Sequence, residues 1–257
     1  MLWILVRTPE SEADVKQIVR PSSSNLLTPT GEETAIQLGN ILSRVNIDEI
    51  LTSSQDPAAM GIQYIIGTQY LTAHREIPSY KLVDQLIEVS FGDLTGMTAN
   101  QIKDAWLNYA LEHDTDINKY SFLHRYDLRY MRRDMRGDLE ELGLESLRDL
   151  EDRLSRLLSL MEVKAKQKQQ HVVTITGPML TAYLVERIKY NTFGEHMEIR
   201  GKGGLFPQNY KEVTLVNIDP KLGIRSIEFN VSFSQLQVIS ASPRGYSYHT
   251  LGVHHGS

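Results

Sequence analysis

The feature that most constrains this chain is a set of short apolar runs, each leading into a helix-like segment. Residues 2–6 read Leu-Trp-Ile-Leu-Val, residues 171–176 read His-Val-Val-Thr-Ile-Thr, and Ile50-Leu51 forms a shorter run between them. Apolar runs without strict alternation are typical of strands that are covered on both faces, as in parallel sheets. The chain is therefore expected to build a sheet with a helical layer on each side.

Helical signals fill the stretches between these runs. Thr28-Pro29 places a proline in a first helical turn, and Thr30 and Glu33 have the spacing of a capping box. A second capping box, at Thr98 and Gln101, opens a pattern that stays helical to about residue 165. The clearest amphipathic stripe of the chain lies in this pattern and consists of Leu147, Leu150, Leu154, Leu157 and Met161.

The order of these elements predicts the fold. Residues 213–218 and 224–229 alternate like two antiparallel strands around a turn, so a hairpin follows the β/α units. We predict an α/β fold: a three-layer α/β/α sandwich with a mostly parallel mixed sheet. The expected organisation is a single domain over residues 1–240 with a helical insertion at about 98–165, followed by a C-terminal tail over 241–257.

Composition narrows the classes of function. The 257 residues carry a formal net charge of −5, which argues against bulk nucleic-acid binding, since phosphate binding needs a basic surface. Cysteine is absent, and no apolar run approaches the length of a membrane span. We expect a cytoplasmic protein without membrane association, without a cofactor and without a metal site; a homodimer is compatible with the sequence.

Polar segments follow the predicted strands, and the carboxyl ends of parallel strands are where such sheets bind ligands. Three such segments follow predicted strands: Leu5 to Ser11, Thr52 to Ala58 and Thr176 to Met179. Two further segments lie between the second and third strands: Leu86 to Gly96 and Gly143 to Leu147. In chain order the five segments resemble motifs of the histidine phosphatase superfamily, which includes the phosphoglycerate mutases. These motifs are Leu-Val-Arg-His-Gly-Glu-Thr, Thr-Ser-x-x-x-Arg-Ala, Leu-x-Glu-x-x-Phe-Gly-x-x-x-Gly, the helix start Gly-Glu-Ser, to which this chain adds one residue, and Val-Ser-His-Gly-Gly. The resemblance covers about residues 1–229 and implies a phosphoglycerate mutase-like fold.

The resemblance also implies a phosphoryl-transfer site, and this chain departs from it. In the family, a histidine after the first strand takes the phosphoryl group, two arginines and a second histidine hold its oxygens, and a glutamate donates a proton. Arg7 and Glu88 stand at the first arginine and the glutamate. Thr8 replaces the first histidine, Pro57 the second arginine and Gly177 the second histidine. A threonine hydroxyl needs a base before it can attack phosphorus, so no intact catalytic site is expected.

Two functions from different classes follow from these departures. The first is a pseudoenzyme that acts as a binding, regulatory or scaffolding protein, with an unidentified protein partner or an anionic small molecule as its ligand. The alternative is a weak or relocated phosphatase or phosphotransferase activity that uses Arg7 and Glu88. Assay on a panel of phosphomonoesters distinguishes the two functions.

Several cationic or loop residues have two interpretations each. Arg7 either binds an anion or forms a structural ion pair with Glu10 or Glu88. One flank of an amphipathic helix predicted at about residues 125–142 is either a surface for an anionic ligand or partner, or an ordinary solvated face. The arginines on this flank are Arg125, Arg129, Arg132, Arg133 and Arg136. The glycine-rich segment 200–204 either cradles a phosphate or is a flexible turn, and we expect the turn. The histidine pair 254–255 either binds a metal ion or belongs to the C-terminal tail, and we expect the tail.

Overall fold

A computed structural model of the chain describes residues 1–19, 25–112, 143, 145–193 and 210–236. Element numbers below refer to these residues. The strands are β1 (Leu2–Arg7), β2 (Glu49–Thr52), β3 (Ser79–Leu82), β4 (His171–Thr176), β5 (Glu212–Asp219) and β6 (Gly223–Ser232). The helices are α1 (Glu12–Lys16), α2 (Pro29–Leu42), α3 (Pro57–Thr72), α4 (Ala99–Glu112), α5 (Leu147–Lys166) and α6 (Pro178–Phe193), and 3₁₀ turns occupy Asp84–Leu86 and Gly92–Leu94.

The six strands form one mixed sheet in the order β3-β2-β4-β1-β5-β6. Strands β1 to β4 run parallel, whereas β5 pairs antiparallel with β1 and β6 antiparallel with β5. The register pairs Arg7 with Thr176 and Thr52 with Ile175, so the carboxyl ends of β1, β4 and β2 lie side by side. The predicted mostly parallel mixed sheet with a terminal hairpin is confirmed.

Two apolar layers cover the sheet. One contains side chains of α2 and α3, such as Leu38 and Ile62, packed on Ile4 and Ile50 of the strands. The other contains side chains of α4, α5 and α6, and Leu154 of α5 is part of it. The predicted stripe of α5 is buried in this second layer at Leu150, Leu154, Leu157 and Met161. The three-layer α/β/α sandwich is therefore confirmed.

Helix starts agree with the sequence in part. The capping box at Thr98 is confirmed, because Thr98 N donates to Gln101 Oε1 at 2.9 Å and Gln101 N donates to Thr98 Oγ1 at 3.3 Å. The box predicted at Thr30 and Glu33 is wrong. Helix α2 begins two residues earlier, with Pro29 in its first turn and Thr28 as the cap that accepts from Gly31 N at 3.0 Å.

The structure also contains two elements that the sequence pattern did not predict. Strand β3 lies at the edge of the sheet and its residues are largely exposed, so it lacks an apolar run. Helix α1 is only five residues long and follows the first polar segment. The arginine flank at residues 125–136, the glycine-rich segment 200–204 and the histidine pair 254–255 lie outside the described residues. No helix within the described ranges is long and apolar enough to span a bilayer.

Candidate functional site

The carboxyl ends of β1 and β4 bring the two predicted histidine positions together. Thr8 follows β1, is fully buried, and its N–H donates to Thr176 O at 2.9 Å. Gly177 follows Thr176 at the end of the neighbouring strand. Two residues that the resemblance assigns to phosphoryl chemistry are thus adjacent in space, and neither carries a side chain that can act as a base at neutral pH.

Arg7 ends β1 and is mostly buried, with 14% of its side chain exposed. Its guanidinium lies 4.0 Å from a carboxylate oxygen of Asp14 and stacks over the ring of Tyr210, with 4.4 Å between Cζ and the ring centroid. Asp14 is fixed in turn, because Oδ2 accepts from Ser11 N at 2.9 Å and Ser11 Oγ at 2.7 Å. The structural ion pair made by Arg7 therefore includes Asp14, a residue that the sequence interpretation had not considered.

Glu10, one of the two carboxylates predicted to pair with Arg7, forms hydrogen bonds with Thr28, the cap of α2. Its Oε1 accepts from Thr28 Oγ1 at 2.6 Å, and Thr28 N donates to Glu10 O at 3.1 Å. The chain passes so close to α2 here that a Cβ on Gly31 would lie 2.0 Å from Glu10 O. Only glycine fits at that position, and the contact fixes the loop after β1 against α2.

Pro57 stands at the first position of α3, where the missing N–H of proline is harmless because the first helical N–H groups have no partner within the helix. The preceding Asp56 is the cap of this helix. Its Oδ1 accepts from Ala58 N at 3.0 Å and from Ala59 N at 3.4 Å. The sequence Asp-Pro at a strand-to-helix turn signals such a cap, although the resemblance drew attention only to the arginine position.

Glu88 makes the most specific contacts in this region. Its Oε1 accepts from Val89 N at 2.9 Å and from Leu180 N at 2.7 Å, and its Oε2 accepts from Met179 N at 3.1 Å. Met179 and Leu180 belong to the first turn of α6, so the carboxylate caps this helix. A Cβ on Gly177 would lie only 1.9 Å from Glu88 Oε2. The carboxylate therefore occupies the space next to Gly177 into which a histidine side chain would have to extend.

The segment that carries Glu88 is attached to its surroundings on two further sides. Thr176 Oγ1 donates to Leu86 O at 2.7 Å. Arg153 of α5 donates to the carbonyls of Gln85 and Ile87 and forms a two-point salt bridge with Glu145, at 2.8 and 2.6 Å. Backbone and carboxylate of Glu145 in turn bond Ser90. These contacts hold the carboxylate of Glu88 at a fixed position.

The motif predicted as a helix start at residues 143–147 does open a helix. Ser146 is the cap of α5 and accepts from Asp149 N at 3.1 Å, and Gly143 has a positive φ of 69°, which glycine adopts without strain. Within the described ranges, no group of three or more histidine, aspartate or glutamate side chains is arranged to hold a metal ion.

Comparison with known proteins agrees with this arrangement. Residues 3–198 match the profile of the histidine phosphatase superfamily (branch 1). The chain therefore belongs to the histidine phosphatase superfamily. Comparison with curated protein sequences gave no match.

Solved structures with a similar fold include three bacterial proteins. Bacillus stearothermophilus YhfR has a TM-score of 0.65 at 19% identity, over 90% of this chain and 98% of that one. Phosphoglycerate mutase from Bacillus anthracis str. Sterne has a TM-score of 0.61 at 12% identity, over 92% and 95%. A putative alpha-ribazole-5'-P phosphatase from Escherichia coli K-12 has a TM-score of 0.59 at 17% identity, over 91% and 98%. At these identities the likeness establishes the fold alone.

Proposed function

We propose that this chain is a non-catalytic member of the histidine phosphatase superfamily that works by binding, as a regulatory or scaffolding protein. The observation that carries the proposal is the pair of residues at the family's histidine positions. Thr8 is buried, and Gly177 lies against the carboxylate of Glu88. Transfer through a phosphohistidine needs an imidazole at one of these positions; the hydroxyl of Thr8 needs a base before it can attack phosphorus, and Gly177 does not supply one.

Electrostatics supports the same proposal. Phosphoryl transfer relies on positioning and on positive charge around the transferred group. Of the two arginine positions, one is Pro57, and Arg7 at the other already contacts Asp14 and Tyr210. Removal of a single stabilising group of this kind typically lowers a rate by about a hundredfold or more. Several such groups are replaced together in this chain.

The alternative, a residual phosphatase that uses Arg7 and Glu88, requires Glu88 to deliver a proton. Three backbone N–H groups donate to its carboxylate and hold it at the start of α6. Glu88 would have to leave Val89, Met179 and Leu180 before it could act. This arrangement favours the non-catalytic function over the alternative.

A panel of phosphomonoesters, assayed with and without divalent metal ions, tests the proposal. We expect phosphate release at the rate of a buffer blank, and the same rate for the Arg7→Ala and Glu88→Ala variants. Turnover by the wild-type chain that either substitution abolishes would contradict a non-catalytic function and support the alternative. The proposal further includes one domain over residues 1–240 and a cytoplasmic location, both of which rest on the sequence.

A further inference from the structure

The start of α6 has two N–H groups that the helix itself cannot satisfy. Pro178 has no N–H, and the first bond within the helix is donated by Thr181 N to Gly177 O at 3.0 Å. The N–H groups of Met179 and Leu180 lie between these positions, and both donate to Glu88. Such N–H groups at the start of a helix after a parallel strand are the ones that anionic ligands use in α/β proteins.

The fit between Glu88 and Gly177 is tight enough to depend on a single missing atom. A Cβ on Gly177 would meet Oε2, Cδ and Cγ of Glu88 at 1.9, 2.6 and 3.1 Å. Gly177 does not adopt a positive φ, so conformational freedom does not explain the glycine. The glycine is explained by space, because the carboxylate of Glu88 fills the position that a side chain of residue 177 would take.

We propose that Glu88 is a built-in ligand of the α6 N-terminus. Its carboxylate takes the place of an external anion and occupies the N–H groups of Met179 and Leu180 at the carboxyl end of the sheet. This inference rests on the proposed function: in a chain that no longer processes phosphate esters, a carboxylate of the chain itself takes the N–H groups that a bound phosphate would use. A histidine restored at position 177 would therefore have to displace this carboxylate from the N–H groups of Met179 and Leu180.

Amide hydrogen exchange, followed by NMR on the full chain, tests the contact directly. Because Glu88 is the acceptor for Met179 and Leu180 N–H, we expect Glu88→Ala to speed exchange of these two amides by at least about tenfold. Ala58 and Ala59, whose N–H groups are held by Asp56 in an equivalent position, serve as an internal control and should not change. Unchanged exchange at Met179 and Leu180 in the variant would overturn the proposal.

A pair of glycine substitutions tests the fit without removing Glu88. Gly177→Ala should lower Tm by about 5–10 °C, because the new methyl group displaces the carboxylate. Gly61→Ala in α3 is the matched control, since its Cβ would meet only Leu27 Cδ1 at 3.6 Å. We expect no loss there. Equal Tm values for the two variants would overturn the proposal.

Inorganic phosphate separates this inference from the proposed function. In the wild-type chain we expect millimolar phosphate to leave exchange of Met179 and Leu180 unchanged, because Glu88 holds the position. Phosphate-dependent protection or shifts at these amides would show that an external anion displaces Glu88, and the built-in ligand would be refuted even if the chain remains inactive. Conversely, phosphomonoester turnover would refute the non-catalytic function whatever the exchange data show.

Discussion

Two carboxylates at opposite ends of the parallel strands are held by different kinds of partner. At the amino end, the buried carboxylate of Glu49 in β2 is paired with two lysines: Lys164 of α5, which is buried with it, and Lys81 of β3 at 2.8 Å. At the carboxyl end, where the family places its chemistry, the carboxylate of Glu88 is bonded by backbone N–H groups. The two carboxylates therefore have different kinds of partner, lysine side chains at the amino end and backbone N–H groups at the carboxyl end.

At the carboxyl end, side chains of the protein also bond the free N–H groups at the helix starts. Side-chain oxygens of Thr28, Asp56 and Glu88 cap α2, α3 and α6, the helices that start at the carboxyl end. Each cap uses N–H groups that a ligand would otherwise bind. At the amino end, on the opposite edge of the sheet from the predicted site, the buried carboxylate of Glu49 is held by lysine side chains instead. We therefore expect substitutions at the two ends to affect stability through different mechanisms.

The largest expected effect is at the amino end. Lys164→Met removes the buried partner of Glu49 and leaves that carboxylate inside the protein with Lys81 alone. We expect a loss of about 3–5 kcal/mol in the free energy of unfolding, measured by urea denaturation. Lys81→Met, which removes an exposed partner, should cost less than about 1 kcal/mol. Equal losses for the two variants would contradict the view that burial of the pair matters.

Acid should weaken the same end of the sheet. Burial acts to raise the pKa of Glu49, but the hydrogen bonds and charges of Lys164 and Lys81 outweigh it and hold the pKa below its usual value of 4.5. A carboxyl group with a lowered pKa in the folded state stabilises the protein above the pKa of the unfolded state, and this stability is lost as the pH falls through the folded-state pKa. Urea denaturation from pH 6 to pH 3 should therefore show a steeper loss for the wild-type chain than for Glu49→Gln. A slope that the substitution does not change would exclude Glu49 as its origin.

A smaller effect is expected at the carboxyl end. Asp56→Ala removes the acceptor for Ala58 N and Ala59 N, and loss of such a cap costs about 1 kcal/mol. Asp56→Asn keeps an oxygen in the same place and should recover most of the loss. The comparison of the two variants by thermal denaturation isolates the cap. If alanine and asparagine prove equally destabilising, the charge of Asp56 matters more than its hydrogen bonds.

The smallest effect concerns His171 at the start of β4. Burial lowers its pKa below the usual 6.5, although a backbone bond to Asn46 and the charge of Asp48 oppose the shift. The unfolded chain then binds a proton more readily than the folded one, so stability should fall as the pH drops below about 6.5. His171→Asn should flatten this dependence between pH 7 and pH 5.5, as followed by urea midpoints. A midpoint that varies equally in both chains would assign the effect to another group.

Much of the framework could be predicted from the sequence, for a physical reason. Strands covered on both faces must be apolar, so β1 and β4 were recognisable and the residues that follow them could be placed at the ligand end. Strand β3 was not recognisable, because an exposed edge strand such as Ser79–Leu82 needs no apolar run. The contact between Glu88 and Gly177 was equally invisible. It joins an irregular segment to a helix start, and its only signal is the absence of a side chain.

The partner carboxylate of Arg7 shows the same limit. Sequence reasoning offered Glu10 and Glu88 as neighbours, whereas the salt bridge forms with Asp14 in the short helix α1. Ser11 and Asp14 have the spacing of a capping box, which could have indicated that helix. The path of the loop after β1 decides which carboxylate lies near Arg7. Residue spacing in the sequence does not determine that path.

Phosphoenzyme trapping tests the central claim most directly. The chain would be incubated with a ³²P-labelled phosphoryl donor and quenched in two ways: in alkali, which preserves phosphohistidine, and in acid, which preserves phosphothreonine such as would form at Thr8. With Thr8 and Gly177 at the histidine positions, we predict no label above that of the Arg7→Ala variant. Near-stoichiometric label of either kind in the wild-type chain that Arg7→Ala removes would show that phosphoryl chemistry persists at this site, and would contradict a non-catalytic role.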